Sequence, residues 1–112
     1  MLEAFGLSDP GCIRHNNEDY YRLVPEIDLY VVADGMGGAQ AGEHASKLAV
    51  DTVVDYVLSA KETSGEVLLD ALQEANRKVL AAAGSEPTLQ GMGTTLTVCW
   101  KVADELLIAN VG

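Results

Sequence analysis

The chain has 112 residues, 48% of them hydrophobic and 21% charged, which suits one small domain with one core and is too apolar for a disordered segment. A formal net charge of −10 argues against a nucleic-acid-binding surface, so we expect no nucleic-acid partner. Two cysteines, Cys12 and Cys99, are too few for a disulfide scaffold. The sequence shows neither an apolar run of membrane-spanning length nor a leader peptide. We therefore expect no membrane partner and a cytoplasmic location with reduced thiols.

In chain order, the apolar pattern predicts a first strand at residues 2–7, a turn at 8–11 and, after a polar stretch, a second strand at 20–24. A turn at 25–28 precedes an apolar, β-branched run at 29–33, which is typical of a buried central strand. Asp34 is expected to be the last side chain of this strand, because glycines follow it closely.

From Gly42 the apolar spacing becomes helical. The predicted buried face consists of Ala45, Leu48, Ala49, Thr52, Val53, Tyr56, Val57 and Ala60. A second helix is predicted after a break at 61–65, with Thr63 and Glu66 at capping-box spacing and Gly84 just beyond its end. Its apolar stripe consists of Leu68, Leu72, Ala75, Val79 and Ala82.

Residues 91–95 predict a tight turn close to the candidate site, without ligands of its own. Residues 94–102 and 106–111 then predict a β-hairpin joined at 103–105. Trp100 and Tyr56 are expected in the core or on a sheet face. Since strands cluster before and after the helices, the predicted fold class is α+β with antiparallel pairing.

Asp34 is the first candidate functional residue. A carboxylate delivered by a buried strand is costly unless something neutralises it, and hard divalent cations such as Mg²⁺ or Mn²⁺ do so through oxygen ligands. Gly35 could turn its own carbonyl toward such an ion. The alternative is that Asp34-Gly35 simply opens a type I′ hairpin turn.

A second group of candidates lies in the polar stretch before the second strand. Glu18 and Asp19 could supply more oxygen ligands, and the planar guanidinium of Arg14 suits a phosphate. The alternative is a solvated loop. A nucleotide-binding loop at 38–42 is disfavoured, because Glu43-His44 stand where a phosphate-binding lysine would be needed.

These segments together resemble the metal-dependent protein phosphatase family, the 2C-type serine/threonine phosphatases, in its bacterial branch. The resemblance rests on the ordered motifs Gly11-x-x-Arg14-x-Asn16-Asn17-Glu18-Asp19, Val32-Ala33-Asp34-Gly35-Met36-Gly37-Gly38, Gly42-Glu43-x-Ala45-Ser46, Gly91-Met92-Gly93-Thr94-Thr95 and Asn110-Val111-Gly112. It implies an antiparallel β-sandwich flanked by helices. The implied reaction is hydrolysis of phosphoserine and phosphothreonine by a water that two bridged Mn²⁺ or Mg²⁺ ions activate.

The resemblance also implies roles for individual residues. Asp34 would bridge both ions, the carbonyl of Gly35 would bind one of them, and Glu18 would hold that ion mostly through water. Arg14 would clamp the substrate phosphate, and Asp19 would have a supporting role. Phosphoproteins are the implied substrates, with a serine/threonine kinase as a partner in signalling.

A complete domain of this family is longer and carries two further metal-binding aspartates in its second half. Residues 1–112 are therefore expected to be the amino-terminal half of a catalytic domain, with weak or no activity alone and with bare sheet edges. We expect self-association or a complementary carboxy-terminal half. The alternative function is a non-catalytic interaction or assembly unit that keeps the fold.

Overall fold

The computed structural model describes residues 19–36, 39–85 and 93–111. These residues form four strands and two helices, with a short 3₁₀ turn at Pro25–Ile27. In chain order the elements are β1 (Asp19–Val24), β2 (Leu29–Met36), α1 (Ala39–Ser59), α2 (Gly65–Ser85), β3 (Gly93–Val102) and β4 (Glu105–Val111). The strand predicted at 2–7 and the turn predicted at 8–11 lie outside the described residues.

The described strands form one antiparallel sheet in the order β1-β2-β3-β4. The helices are inserted in the sequence between β2 and β3, yet these two strands are neighbours in the sheet. This arrangement confirms the predicted α+β class and places β2 in the interior of the sheet, where both of its edges are paired. Among the described strands, β1 and β4 are the edges.

Within the described ranges, two residues other than glycine adopt left-handed backbone conformations, and both lie in connections between strands. Asp28, with φ of 52°, follows the 3₁₀ turn and donates its backbone N–H to the carbonyl of Pro25 at 3.1 Å. Ala103, with φ of 55°, lies in the tight turn that joins β3 to β4. The predicted hairpin is thereby confirmed, with paired strands on both sides of the turn.

The inner face of the sheet, defined by Leu29, Val31 and Ala33 of β2, carries the core. These three side chains are at most 1% exposed, while Tyr30, on the opposite face of the same strand, is also buried at 4% exposure. Helix α1 packs on this face and α2 packs on α1. The small side chains of Ala45 and Ala49 are fully buried, which lets the α1 backbone approach the sheet closely.

The helix boundaries differ from three of the predictions. Helix α1 begins at Ala39 rather than at Gly42. Helix α2 is capped by Ser64, whose Oγ accepts the N–H of Val67 at 3.3 Å, so the prediction of a cap at Thr63 was wrong. Gly84 does not end α2, which continues to Ser85, because three consecutive alanines precede this glycine and favour the helix.

The predicted stripe of α2 is confirmed from Leu68 to Val79. In α1 the buried face is wider than predicted, since Val50 and Val54 are fully buried as well. Tyr56 was predicted in the core but is 37% exposed. Neither described helix combines the length and the apolar character that crossing a membrane requires.

The outer face of the sheet, which carries the alternate residues of each strand, is covered by neither helix. Toward the β3–β4 turn it is mostly apolar, with Leu106 at 47% and Ile108 at 60% exposure on the edge strand β4, although Lys101 lies opposite Leu106. Toward the end of β2 it carries Asp34, Thr95 and Thr97. The outer face is therefore divided into an apolar end and a polar end, and the candidate site lies at the polar end.

Candidate metal site at the end of strand β2

Asp34 lies within β2 and not at its end. The strand continues through Gly35 and Met36, which pair with Thr94 and Gly93 of β3. The prediction that Asp34 ends the strand, and the alternative that it opens a hairpin turn, are both wrong. Alternation places Asp34 on the outer face between the buried residues Ala33 and Gly35, so its carboxylate is exposed although the strand is interior.

The sheet register brings a second aspartate to the same place. Asp19, the first residue of β1, is directly opposite Asp34. Like charges at directly opposite positions of an antiparallel pair are destabilising, so this register predicts that a cation bound near the pair would stabilise the sheet. Carboxylate oxygens are the ligands that Mg²⁺ and Mn²⁺ prefer, so the donor chemistry fits the implied ions.

Gly35 and Thr94 form the pair next to Asp34. Gly35 is buried, and Thr94 lies directly opposite it on β3. Thr94 Oγ1 lies 3.2 Å from the carbonyl oxygen of Asp34 and 2.9 Å from the carbonyl oxygen of Thr95. Residues 93–95 are thus part of a strand, and the tight turn predicted for 91–95 was wrong for this described part.

Two residues along β3 from Thr95, on the same outer face, a side-chain hydrogen bond joins β3 to β4. Thr97 Oγ1 donates to Asn110 Oδ1 at 2.8 Å. Sequence reasoning placed residues 91–95 close to the site without a role for Thr94, and it gave no site role to Thr97 or Asn110. Pairing of β3 with β2 and with β4 puts these side chains on neighbouring strands.

Arg14 and Glu18 lie outside the described residues. Within the described ranges, no three His, Cys, Asp or Glu side chains come close enough together to hold a metal ion. Asp34, the Asp19 position and the Gly35 backbone therefore remain candidate ligands, and on their own they are fewer than a divalent ion requires.

The two arginines of the described segments are engaged with acidic side chains elsewhere. Arg22, on the inner face of β1, lies 3.3 Å from Asp51 of α1, and so links the strand that begins at Asp19 to the helix layer. Arg77 forms two hydrogen bonds with Glu74 on the exposed side of α2, and they hold the pKa of Glu74 below its usual value. Neither guanidinium is positioned to receive a phosphate beside Asp34.

Comparison with known proteins identifies a family for the chain. A sequence model of the family described as Protein phosphatase 2C matches residues 14–112. The serine/threonine phosphatase stp of Listeria monocytogenes is 40% identical over 113 aligned positions, which cover 94% of this chain and 45% of that protein. The serine/threonine protein phosphatase PstP of Mycobacterium tuberculosis is also 40% identical, over 100% of this chain and 22% of its own length.

The fold agrees as well. The crystal structure of the catalytic domain of PstP in complex with two manganese ions superposes with a TM-score of 0.74 at 35% identity, covering 89% of this chain and 43% of that one. This chain spans less than half the length of the relatives and solved structures it matches. The sequence match and the sheet-and-helix fold together show that the chain belongs to the protein phosphatase 2C family.

Proposed function

We propose that residues 1–112 are the amino-terminal half of the catalytic domain of a metal-dependent phosphatase that hydrolyses phosphoserine and phosphothreonine in proteins. The observation that carries the proposal is Asp34, an exposed carboxylate on an interior strand, directly opposite a second aspartate. The family match supports the reaction. We further propose a cytoplasmic enzyme that opposes a serine/threonine kinase.

Each residue of the proposed site has a distinct task. Asp34 holds the ions through its carboxylate, Gly35 adds its carbonyl, and Glu18 acts mostly through water, with Asp19 in support. Arg14 clamps the phosphate of the substrate, for which a planar guanidinium is suited. When bound, Mn²⁺ or Mg²⁺ supplies the Lewis-acid activation of the attacking water. Because affinity for these ions follows ligand number and charge, we expect the half-site alone to bind them weakly.

Calorimetric titration with Mn²⁺ tests the site directly. We expect measurable, weak binding to the chain, and loss of this binding in Asp34→Asn. Asp70→Asn is the matched control, since Asp70 is exposed on α2 and its substitution changes the net charge equally. Equal heats from Asp34→Asn and from the unaltered chain would show that Asp34 is not the metal site.

A second candidate function is a non-catalytic assembly unit, and the apolar end of the outer face favours it, since Leu106 and Ile108 are both exposed there. Aryl phosphate hydrolysis with Mn²⁺ separates the two candidates. The phosphatase proposal predicts little activity from the chain alone and recovery when a complementary carboxy-terminal half is added. Assembly with that half without any gain in hydrolysis supports the second candidate. Full activity of the isolated chain contradicts the inference that ligands are missing.

A further inference from the structure

The peptide unit that joins Asp34 to Gly35 lies between two proposed ligands, the carboxylate of one residue and the carbonyl of the next. The Gly35 carbonyl belongs to the next peptide unit, so its direction relative to the Asp34 carboxylate depends on the orientation of the Asp34–Gly35 peptide and on the Gly35 dihedral angles. Glycine has more backbone freedom than any other residue, so the Gly35 carbonyl is the part of the arrangement that is least restrained by its own chain.

Thr94 supplies a restraint from the neighbouring strand. Its Oγ1 lies 3.2 Å from the carbonyl oxygen of Asp34, across 60 positions of sequence. The hydroxyl has one proton and shares it between this oxygen and the carbonyl of Thr95 at 2.9 Å, so it links the two backbones at the site. Because a peptide unit is planar, a hydrogen bond to the Asp34 carbonyl also restrains the N–H of Gly35.

The register explains why a threonine at this position can make the contact. Thr94 is directly opposite Gly35. Because glycine has no side chain, the threonine side chain has space at this position on the inner face. A β-branched side chain has few allowed χ1 rotamers, so the hydroxyl is held with little loss of entropy. Thr94 is half-buried, and its contact with the carbonyl of Thr95 is partly buried, whereas its contact with the carbonyl of Asp34 is exposed to solvent.

We propose that Thr94 is a positioning residue of the metal site: its hydroxyl orients the Asp34–Gly35 peptide so that the carboxylate and the carbonyl face one ion. The inference rests on the proposed function, since it assigns Thr94 a task toward the same ion. Thr94 itself is not a ligand in this arrangement.

The test compares Thr94→Val, which is nearly isosteric and lacks the hydroxyl, with Thr94→Ser, which retains it. Thr97→Val is the matched control, because it removes a threonine hydroxyl from the same strand that contacts Asn110 rather than Asp34. The first measurement is made without metal. The carbonyl ¹³C chemical shift of Asp34 is expected to change in Thr94→Val and to remain near its original value in Thr94→Ser and Thr97→Val.

The second measurement is Mn²⁺ affinity, followed through the electron paramagnetic resonance signal of free Mn²⁺. We expect binding about tenfold weaker in Thr94→Val, at the lower end of what losing a group that orients a metal ligand costs. Thr94→Ser should restore it. Unchanged affinity in Thr94→Val while Asp34→Asn abolishes binding would overturn the role of Thr94 alone. Binding that is insensitive to Asp34→Asn would overturn the proposed site, and with it this inference.

Discussion

Replacing Asp34 by asparagine should have opposite effects on stability with and without metal. Directly opposite residues in an antiparallel pair have Cβ atoms about 5 Å apart, and two unit charges at that distance in water repel by about 0.8 kcal/mol. Asp34 is exposed, so the aqueous value applies. Asp34→Asn removes the repulsion from the Asp19 position and should stabilise the metal-free chain by about 1 kcal/mol.

With Mn²⁺ bound, the unaltered chain should be more stable than Asp34→Asn. A ligand at ten times its dissociation constant stabilises the folded chain by about 1.4 kcal/mol, and Asp34→Asn should lose this gain. The assay is urea unfolding followed by far-ultraviolet circular dichroism, with and without Mn²⁺. Asp70→Asn controls for the general loss of one negative charge. The reasoning is refuted if Asp34→Asn destabilises the metal-free chain, or if Mn²⁺ stabilises this variant as much as the original.

Three further predictions concern the frame that holds the site. Trp100 is 1% exposed and donates its Nε1–H to the carbonyl of Ile27 at 3.1 Å, so Trp100→Phe should cost about 2–4 kcal/mol of unfolding free energy in urea titrations. An unchanged free energy of unfolding in Trp100→Phe would contradict the contribution of the Trp100–Ile27 hydrogen bond. Burial, with the nearby Asp28 carboxylate, raises the pKa of Tyr30, so the tyrosinate form disfavours folding. This contribution to stability is complete below the pKa of an unfolded tyrosine and is lost as pH rises toward the folded value. Absorbance at 295 nm should show late ionisation of one tyrosine that disappears in Tyr30→Phe, and an unchanged titration would refute the assignment. Ser64→Ala should cost about 1 kcal/mol by removing the cap of α2, measured by thermal unfolding against Ser59→Ala, and equal melting temperatures would exclude the cap.

The part of this fold that could be predicted from sequence is the part set by the local pattern of apolar and polar residues. Val31 and Val98 are buried in alternation, so their strands and the hairpin at Ala103 could be placed from sequence. The end of β2 could not be placed from sequence, because a strand ends where its backbone pairing with the neighbouring strands ends. Gly35 and Met36 carry no apolar β-strand pattern, yet both pair with β3.

The candidate site shows the same division. Asp34 could be identified from sequence, since a carboxylate after an apolar run with glycines beyond it is unusual. Its position opposite Asp19 depends on the register of β1, and the contact with Thr94 depends on a pairing across 60 residues. Register and long-range pairing are set by the packed sheet as a whole, and a single sequence does not display them.

The insertion of both helices between β2 and β3 has a consequence for how the chain folds. Pairing β2 with β3 closes a loop of more than fifty residues, which costs more chain entropy than closing either hairpin. Helices α1 and α2 share a packed interface and, once docked, draw the two strands together. Since Asp34 and Thr94 meet only after this closure, the ion-binding arrangement should be among the last features to form and the first to open when the sheet separates.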